Sequence, residues 1–401
     1  MRYTDSLIEE NVMSQSYRCI SGDTHLEIPN ERWTHRIDKK YRDRAPRTIR
    51  LEGGADATVF EDLPPRQNTF DIYGGQGRDG SNWYPADQKY ETCPGTGSPA
   101  QRIKEQDMDG IDAEIMFPAV VAGPSTWLQA KDPGLQKAII RGWNDWFAEE
   151  YLSDSDAKGR IFGVGCITAT TIEDSLAELQ HCKKLGFIAI QLPNFPNGTG
   201  IPKAEDDRFW AMALDLGMPV TIHFAIEDTD MSFNGKLLDY PKREKNLRTD
   251  LAGQMTRFAR NGAYNAVQLL LSGVFERFPK LRIFFAENSI GWIPNFMEVA
   301  DTRYDRHIGW AKRYDGVKPL PGKPSELINE YFYWGFQRDR AGVDNRHHLN
   351  VNRLIWANDF PHQESDWPES NKVLEHNFKG VPAHEVHKMT VQNAADFFRL
   401  P

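Results

Sequence analysis

The sequence predicts an α/β fold, a distorted (β/α)8 barrel with long insertions in its βα loops. Short apolar runs alternate with amphipathic segments about eight times along 401 residues, the pattern of a parallel sheet covered by helices. Ionisable residues interrupt several of these runs at their carboxyl ends, the face on which such barrels carry their chemistry. No GxGxxG follows the first strand, so a doubly wound sheet, the runner-up architecture, lacks its fingerprint. The GGQG at 74–77 lies in a loop without strand–helix context.

The opening strand runs into SGDTHLEIP (21–29), where Asp23, His25 and Glu27 occupy alternate positions and so project from one face of an extended chain. AEIMFPA (113–119) and IFGVGCI (161–167) follow, then a helix over EDSLAELQHCKKLG (173–186) closed by glycine. FIAIQLP (187–193) is the next strand. A helix near DDRFWAMALDLG (206–217) precedes PVTIHFA (219–225), and a helix over NAVQLLLSGVFERFP (265–279) precedes LRIFFAE (281–287). EYFYWGF (330–336), RLIWAND (353–359) and a final helix over 383–400 complete the series. One domain is expected over 1–401, with insertions at about 52–100 and 226–262. Both exceed what a βα connection needs and carry aromatic residues, Trp83, Tyr84 and Tyr90 in the first. They are expected to form a lid or an oligomer contact over the barrel mouth.

Hydrophobic residues at 40% and aromatic residues at 11% supply a large core, which excludes global disorder. A net charge of −9 argues against a general nucleic-acid binder. No apolar run reaches the roughly 18 residues of a membrane span. The N-terminal stretch carries Asp5, Glu9 and Glu10 and lacks the apolar core of a signal peptide. Cys19, Cys93, Cys166 and Cys182 have no CxxC spacing and read as reduced thiols of a cytoplasmic protein.

The candidate site is read from strand ends. His223 ends PVTIHFA, Glu287 ends LRIFFAE, and Asp359 ends RLIWAND, while Asp23 and His25 close the first strand. Singly, each has a plain structural explanation: a hydrogen-bonded rim histidine, a turn-capping aspartate, a glutamate paired with arginine. Together they read as a metal site, because charged groups are seldom buried unless paired or bound to metal. His362 and Glu27 extend the set. Trp292 and Trp367 read as packing near the barrel mouth. Arg102, Arg141 and Arg303 are candidates to hold a substrate carboxylate, although salt bridges explain them equally well. His347 and His348 read as solvent-facing, and His384 with His387 as a solvated helix face.

The stretches ISGDTHLEIP, FIAIQLPN, LGMPVTIHFA, FERFPKLRIFFAENSIGWIPNFME, LIWANDFPHQESDWPES and VQNAADFF span nearly the whole chain. In that order they resemble the amidohydrolase superfamily, specifically the amidohydrolase-related family of aminocarboxymuconate-semialdehyde decarboxylase and γ-resorcylate decarboxylase. The resemblance implies a barrel with one or two metals at its strand ends. Asp23 and His25 match the first-strand pair, His223 the fifth-strand ligand, and Asp359 the eighth-strand aspartate that binds metal or accepts a proton. Two positions depart from the pattern. Glu287, followed by Asn288, stands where the decarboxylases carry an acid/base histidine, and Gln191 stands where dinuclear hydrolytic relatives carry a bridging lysine or glutamate.

The resulting ligand set of Asp23, His25, His223, Glu287, Asp359 and His362 suits iron and manganese at least as well as zinc. It resembles that of the dinuclear non-haem monooxygenases of the family, the α-aminoisobutyrate hydroxylase branch. The expectation is therefore an O2-activating hydroxylase of a small organic substrate, with Glu287 and Asp359 as catalytic residues. Two metals are expected, iron or iron plus manganese, with zinc as the alternative, together with a reductase or ferredoxin partner and a homo- or hetero-oligomer. The alternatives are a one-metal hydrolase or non-oxidative decarboxylase, in which Asp359 or Glu287 moves the proton, and a non-catalytic metal-binding subunit.

Overall fold

Eight parallel strands pair in chain order around the centre of the molecule. They are β1 (Ile20–Leu26), β2 (Ala113–Pro118), β3 (Ile161–Cys166), β4 (Ala189–Gln191), β5 (Val220–His223), β6 (Ile283–Ala286), β7 (Phe332–Phe336) and β8 (Leu354–Trp356). All eight expected strands are present. The computed structural model describes residues 17–66, 88–119, 123–168, 170–226 and 262–401. No helix among the described residues is long and apolar enough to cross a membrane.

The strands are buried on both faces, which is why they read as nearly continuous apolar runs. Alternate residues form two cores. Ile20, Ile115, Phe117, Val164, Phe284 and Ile355 gather in one cluster, joined by Phe397 and Phe398 from the C-terminal helix. Their neighbours, such as Met116, Ile190, Ile222 and Phe285, pack with the helices. Helices α1 (Pro99–Asp109), α2 (Pro133–Phe147) and α3 (Ile172–Leu185) follow β1, β2 and β3. In α3 the sequence states its own limits. Thr171 Oγ1 accepts from Asp174 N at 3.1 Å, acidic residues occupy the first turn, lysines the last, and Gly186 at φ +94° ends it.

The structure departs from the sequence reading in detail. The helix expected over 265–279 breaks at Gly273 (φ +70°) into Ala263–Leu271 and Val274–Arg277, because a left-handed residue cannot continue the turn. The final helix passes through a π turn at Lys388–Gln392. The excursion after β1 begins before residue 52, with Arg47–Arg50 pairing antiparallel to Asp56–Val59, and Tyr90 N donates to Asp56 Oδ2 beside this hairpin at 2.9 Å. Trp83, Tyr84 and residues 227–261, on which the expected lid rests, lie outside the described residues.

The barrel is completed where β1 meets the turn beyond β8. Asn358 N donates to Ser21 Oγ at 3.0 Å, and Ser21 Oγ donates to Asn358 Oδ1 at 2.8 Å. Next along the seam, Asp359 N donates to Asp23 O at 3.1 Å and His25 N to Phe360 O at 2.8 Å. The register of β1 against β2 slips between Ser21 and Thr24, a bulge that re-aims the side chains after it. Gly22 sits at that slip. A Cβ there would stand 2.3 Å from Ile355 Cγ2 and 3.3 Å from Trp356 O. Gly22→Ala is therefore expected to destabilise the fold by roughly 1–3 kcal/mol, read as a lower denaturation midpoint. An unchanged midpoint would show that the seam has room to spare.

Candidate metal centre

Asp23, within the bulge, and His25, just beyond it, are both fully buried. His25 Nδ1 lies 2.8 Å from the Pro118 carbonyl oxygen. A carbonyl only accepts, so Nδ1 carries the hydrogen, and in the neutral ring Nε2 is a bare lone pair. Burial, reinforced by the neighbouring His362 and His223, pushes the His25 imidazole below its ordinary pKa and keeps it neutral. That Nε2 lies 3.0 Å from His223 Nε2, 3.4 Å from Asp23 Oδ1 and 3.3 Å from Asp359 Oδ1. His223 Nε2 is in turn 3.5 Å from both Asp23 Oδ2 and Glu287 Oε2.

A second group adjoins the first. His362 stacks on His25, with ring centroids 3.9 Å apart. Its Nδ1 lies 3.1 Å from Asp359 Oδ1 and its Nε2 lies 3.2 Å from Glu27 Oε1. Burial alone would raise Asp359 and lower His362. Their mutual attraction overrides it: the His362 charge holds Asp359 far below the carboxylate range, and Asp359 and Glu27 hold His362 well above the imidazole range.

Backbone geometry turns these side chains inward. Phe224, Glu287, Ser289 and Asp359 all have φ between +54° and +56°, a left-handed conformation that costs a non-glycine residue about 1–2 kcal/mol and clusters at functional sites. Asn288 locks this arrangement. Its Nδ2 donates to Phe224 O at 2.9 Å and to Ala286 O at 2.7 Å, while its N donates to Gly335 O at 3.0 Å. Gly335 leaves the required space, since a Cβ there would stand 3.0 Å from Glu287 N.

Every residue of the expected ligand set converges here, together with Glu27. Donor atoms of Asp23, His25, His223 and Glu287 lie within 4.8 Å of one another, as do those of His25, Asp359 and His362. Both Asp359 oxygens are buried without a hydrogen bond of good geometry among the described residues. A buried carboxylate with incomplete hydrogen bonding is costly unless a cation meets it. Mixed imidazole and carboxylate donors are what divalent manganese, iron and zinc take, so the residues present fit such a metal.

Sequence reading missed Glu364. This exposed residue brings its carboxylate within the same 4.8 Å of Glu287 and Asp359, from a loop whose sequence carries no periodic signal.

The other candidates lie elsewhere. Arg102 is buried against Glu114 at 2.8 Å, Arg141 pairs with Glu178 at 2.6 Å, and Arg303 is exposed. Trp292 donates to Asn288 O at 2.8 Å and Trp367 to Glu105 O at 2.9 Å, so both are packing residues. His347, His348, His384 and His387 are exposed, and Gln191 is half-buried at the end of β4.

Eight parallel strands with imidazoles and carboxylates gathered at their carboxyl ends define a barrel enzyme of the metal-dependent kind. The chain belongs to the amidohydrolase family, whose profile matches residues 23–400. It is 24% identical over 317 residues to γ-resorcylate decarboxylase from Polaromonas sp., covering 75% of this chain and 87% of that protein. Its fold is similar to a crystal structure of an amidohydrolase from Mycobacterium avium subsp. paratuberculosis, with a TM-score of 0.70 and 19% identity over 96% of this chain and all of the other. It is also similar to 5-carboxyvanillate decarboxylase from Novosphingobium aromaticivorans, complexed with manganese and 4-hydroxy-3-methoxy-5-nitrobenzoic acid. There the TM-score is 0.64 and the identity 17%, over 96% of both chains.

These relatives overturn the expectation of an oxygen-activating hydroxylase. The similarity runs to decarboxylases, and the carboxylate-rich donor set does not by itself specify oxygen chemistry, because manganese and zinc take the same donors. The reductase or ferredoxin partner loses the activity that implied it.

Adding Mn2+ to chelator-treated protein is expected to raise its unfolding temperature, because a ligand of the folded state at 100 times its Kd adds about 2.7 kcal/mol. His223→Ala should remain folded and lose that response. An equal rise in the variant would remove His223 from the centre.

Proposed function

We propose that this chain is a metal-dependent, non-oxidative decarboxylase of a small hydroxylated aromatic acid. The observation that carries the reading is the buried, neutral His25, whose Nε2 lone pair faces Asp23, His223 and Asp359. The decarboxylase relatives supply the substrate class, and the manganese of the carboxyvanillate enzyme supplies the metal.

Asp23, His25, His223 and Asp359 would hold one divalent cation, manganese foremost. When bound, that cation supplies positive charge for a substrate carboxylate and an adjacent ring oxygen. His362, held between Asp359 and Glu27, keeps Asp359 ionised and fixed in orientation. Decarboxylation breaks the bond between the ring carbon and the carboxylate. Carbon dioxide leaves, the electron pair stays on the ring carbon, and that carbon must take a proton. Glu287 is the acid in this reading. Its carboxyl lies 3.5 Å from His223 Nε2, outside the Asp359–His362 pair, in the position where family decarboxylases carry a histidine. The overall change consumes one proton and no oxidant.

Anaerobic incubation of the manganese-loaded protein with 2,6-dihydroxybenzoate and other hydroxybenzoates is expected to release carbon dioxide and the corresponding phenol. Turnover that requires oxygen, or no carbon dioxide from any hydroxybenzoate, would overturn the reading. Glu287→Gln should keep its full metal content and lose roughly 10²–10⁴-fold in rate. Loss of metal would instead make Glu287 a ligand.

A further inference from the structure

Arg102 lies outside the donor set, on α1, yet the residue is buried to 1% exposure. Nε donates to Glu114 Oε1 of β2 at 2.8 Å, and Nη2 donates to the Phe360 carbonyl oxygen at 3.1 Å. The guanidinium also lies 4.5 Å from the centroid of the Phe360 ring. The Phe360 carbonyl is the one that accepts from His25 N, and Phe360 follows Asp359 directly. One arginine therefore grips the carbonyl that ties the turn carrying Asp359 to the backbone of His25.

Stability alone does not account for this arginine. A buried ion pair gives little net gain over a hydrophobic pair of similar volume, and Nη1 makes no hydrogen bond among the described residues. What the guanidinium offers is a rigid planar fork that serves acceptors on two separate elements at once. Without it, the Phe360 carbonyl would keep only the His25 amide, and the turn carrying Asp359 could shift relative to β1.

We propose that Arg102 is a positioning residue of the metal centre, fixing the spacing of His25 and Asp359 through the Phe360 carbonyl. The inference rests on the metal-binding reading above. Partners of this kind, behind the ligands themselves, typically govern 10–100-fold in metal affinity.

The test compares Mn2+ binding, by titration calorimetry and by the electron paramagnetic resonance spectrum of the bound ion, in the native protein, Arg102→Lys and Arg141→Lys. The lysine in Arg102→Lys can still meet Glu114 but lacks the fork, whereas Arg141 serves Glu178 on α3. The expected result is a 10–100-fold weaker affinity and an altered spectrum in Arg102→Lys alone. If Arg102→Lys does not fold, the Arg102→Gln/Glu114→Gln double variant, which leaves no unpaired charge, carries the same expectation. Native affinity and spectrum in the folded variant, or an equal loss in Arg141→Lys, would overturn the positioning role. Absence of Mn2+ binding by the native protein would overturn the metal reading and this inference with it, a result distinct from a native protein that binds and a variant that binds equally well.

Discussion

The structure depends on the seam where β1 meets the turn after β8. There the chain uses the backbone of Asp23, His25, Asp359 and Phe360 to complete the barrel, and the side chains of Asp23, His25 and Asp359 to build the candidate centre. Barrel closure and site assembly are thus one event. The backbone hydrogen bonds fix where these side chains start, the bulge beside Gly22 turns Asp23 and His25, and a left-handed backbone turns Asp359. A shift of one residue at the seam would both open the sheet and scatter the donors.

This economy concentrates charge. Asp23, Glu27 and Asp359 are fully buried, and Glu287 is nearly so, a grouping that repels itself and loses hydration. The Asp359–His362–Glu27 chain neutralises part of it. The left-handed residues at the ends of β5, β6 and β8 add strain. What offsets both is the pair of apolar cores on either face of the strands, plugged at one end by Phe397 and Phe398 against Phe284. The rigid barrel is what allows an unfavourable cluster to persist at its rim.

The sequence shows the strands plainly, because a strand buried on both faces must be an apolar run and each run must stop where a polar donor faces the centre. His223, Glu287 and Asp359 were legible for that reason, and Asp23 and His25 by alternation. Their partners were harder to read. Glu364 belongs to an irregular loop, Asn288 acts through backbone carbonyls, and Arg102 works from an outer helix. Such residues are defined by contacts distant in sequence, which no periodicity encodes. The break at Gly273 went unread because glycine inside a helical pattern is often tolerated. The chemistry was misread for a different reason: a donor set restricts the metal but does not decide the reaction.

Glu287 shows how that ambiguity arises. A carboxylate beside His223 looks like one more ligand when donors alone are counted, and that count led toward a dinuclear oxygen-activating centre. The proposed function gives the carboxylates different roles. Asp359 lies 3.1 Å from His362 Nδ1, whose charge favours the ionised carboxylate, and 3.3 Å from the lone pair of His25 Nε2. Glu287 stands on the other strand, reached through a left-handed turn that Asn288 and Gly335 hold in place. A ligand needs only proximity to the cation, but an acid needs a fixed direction toward the atom it protonates. In the proposed acid role, the Asn288 and Gly335 contacts would hold Glu287 in a fixed direction. On the proposed reading, a carboxylic acid in place of the histidine still offers a group able to give the ring carbon its proton, so this departure from the family pattern is compatible with decarboxylation.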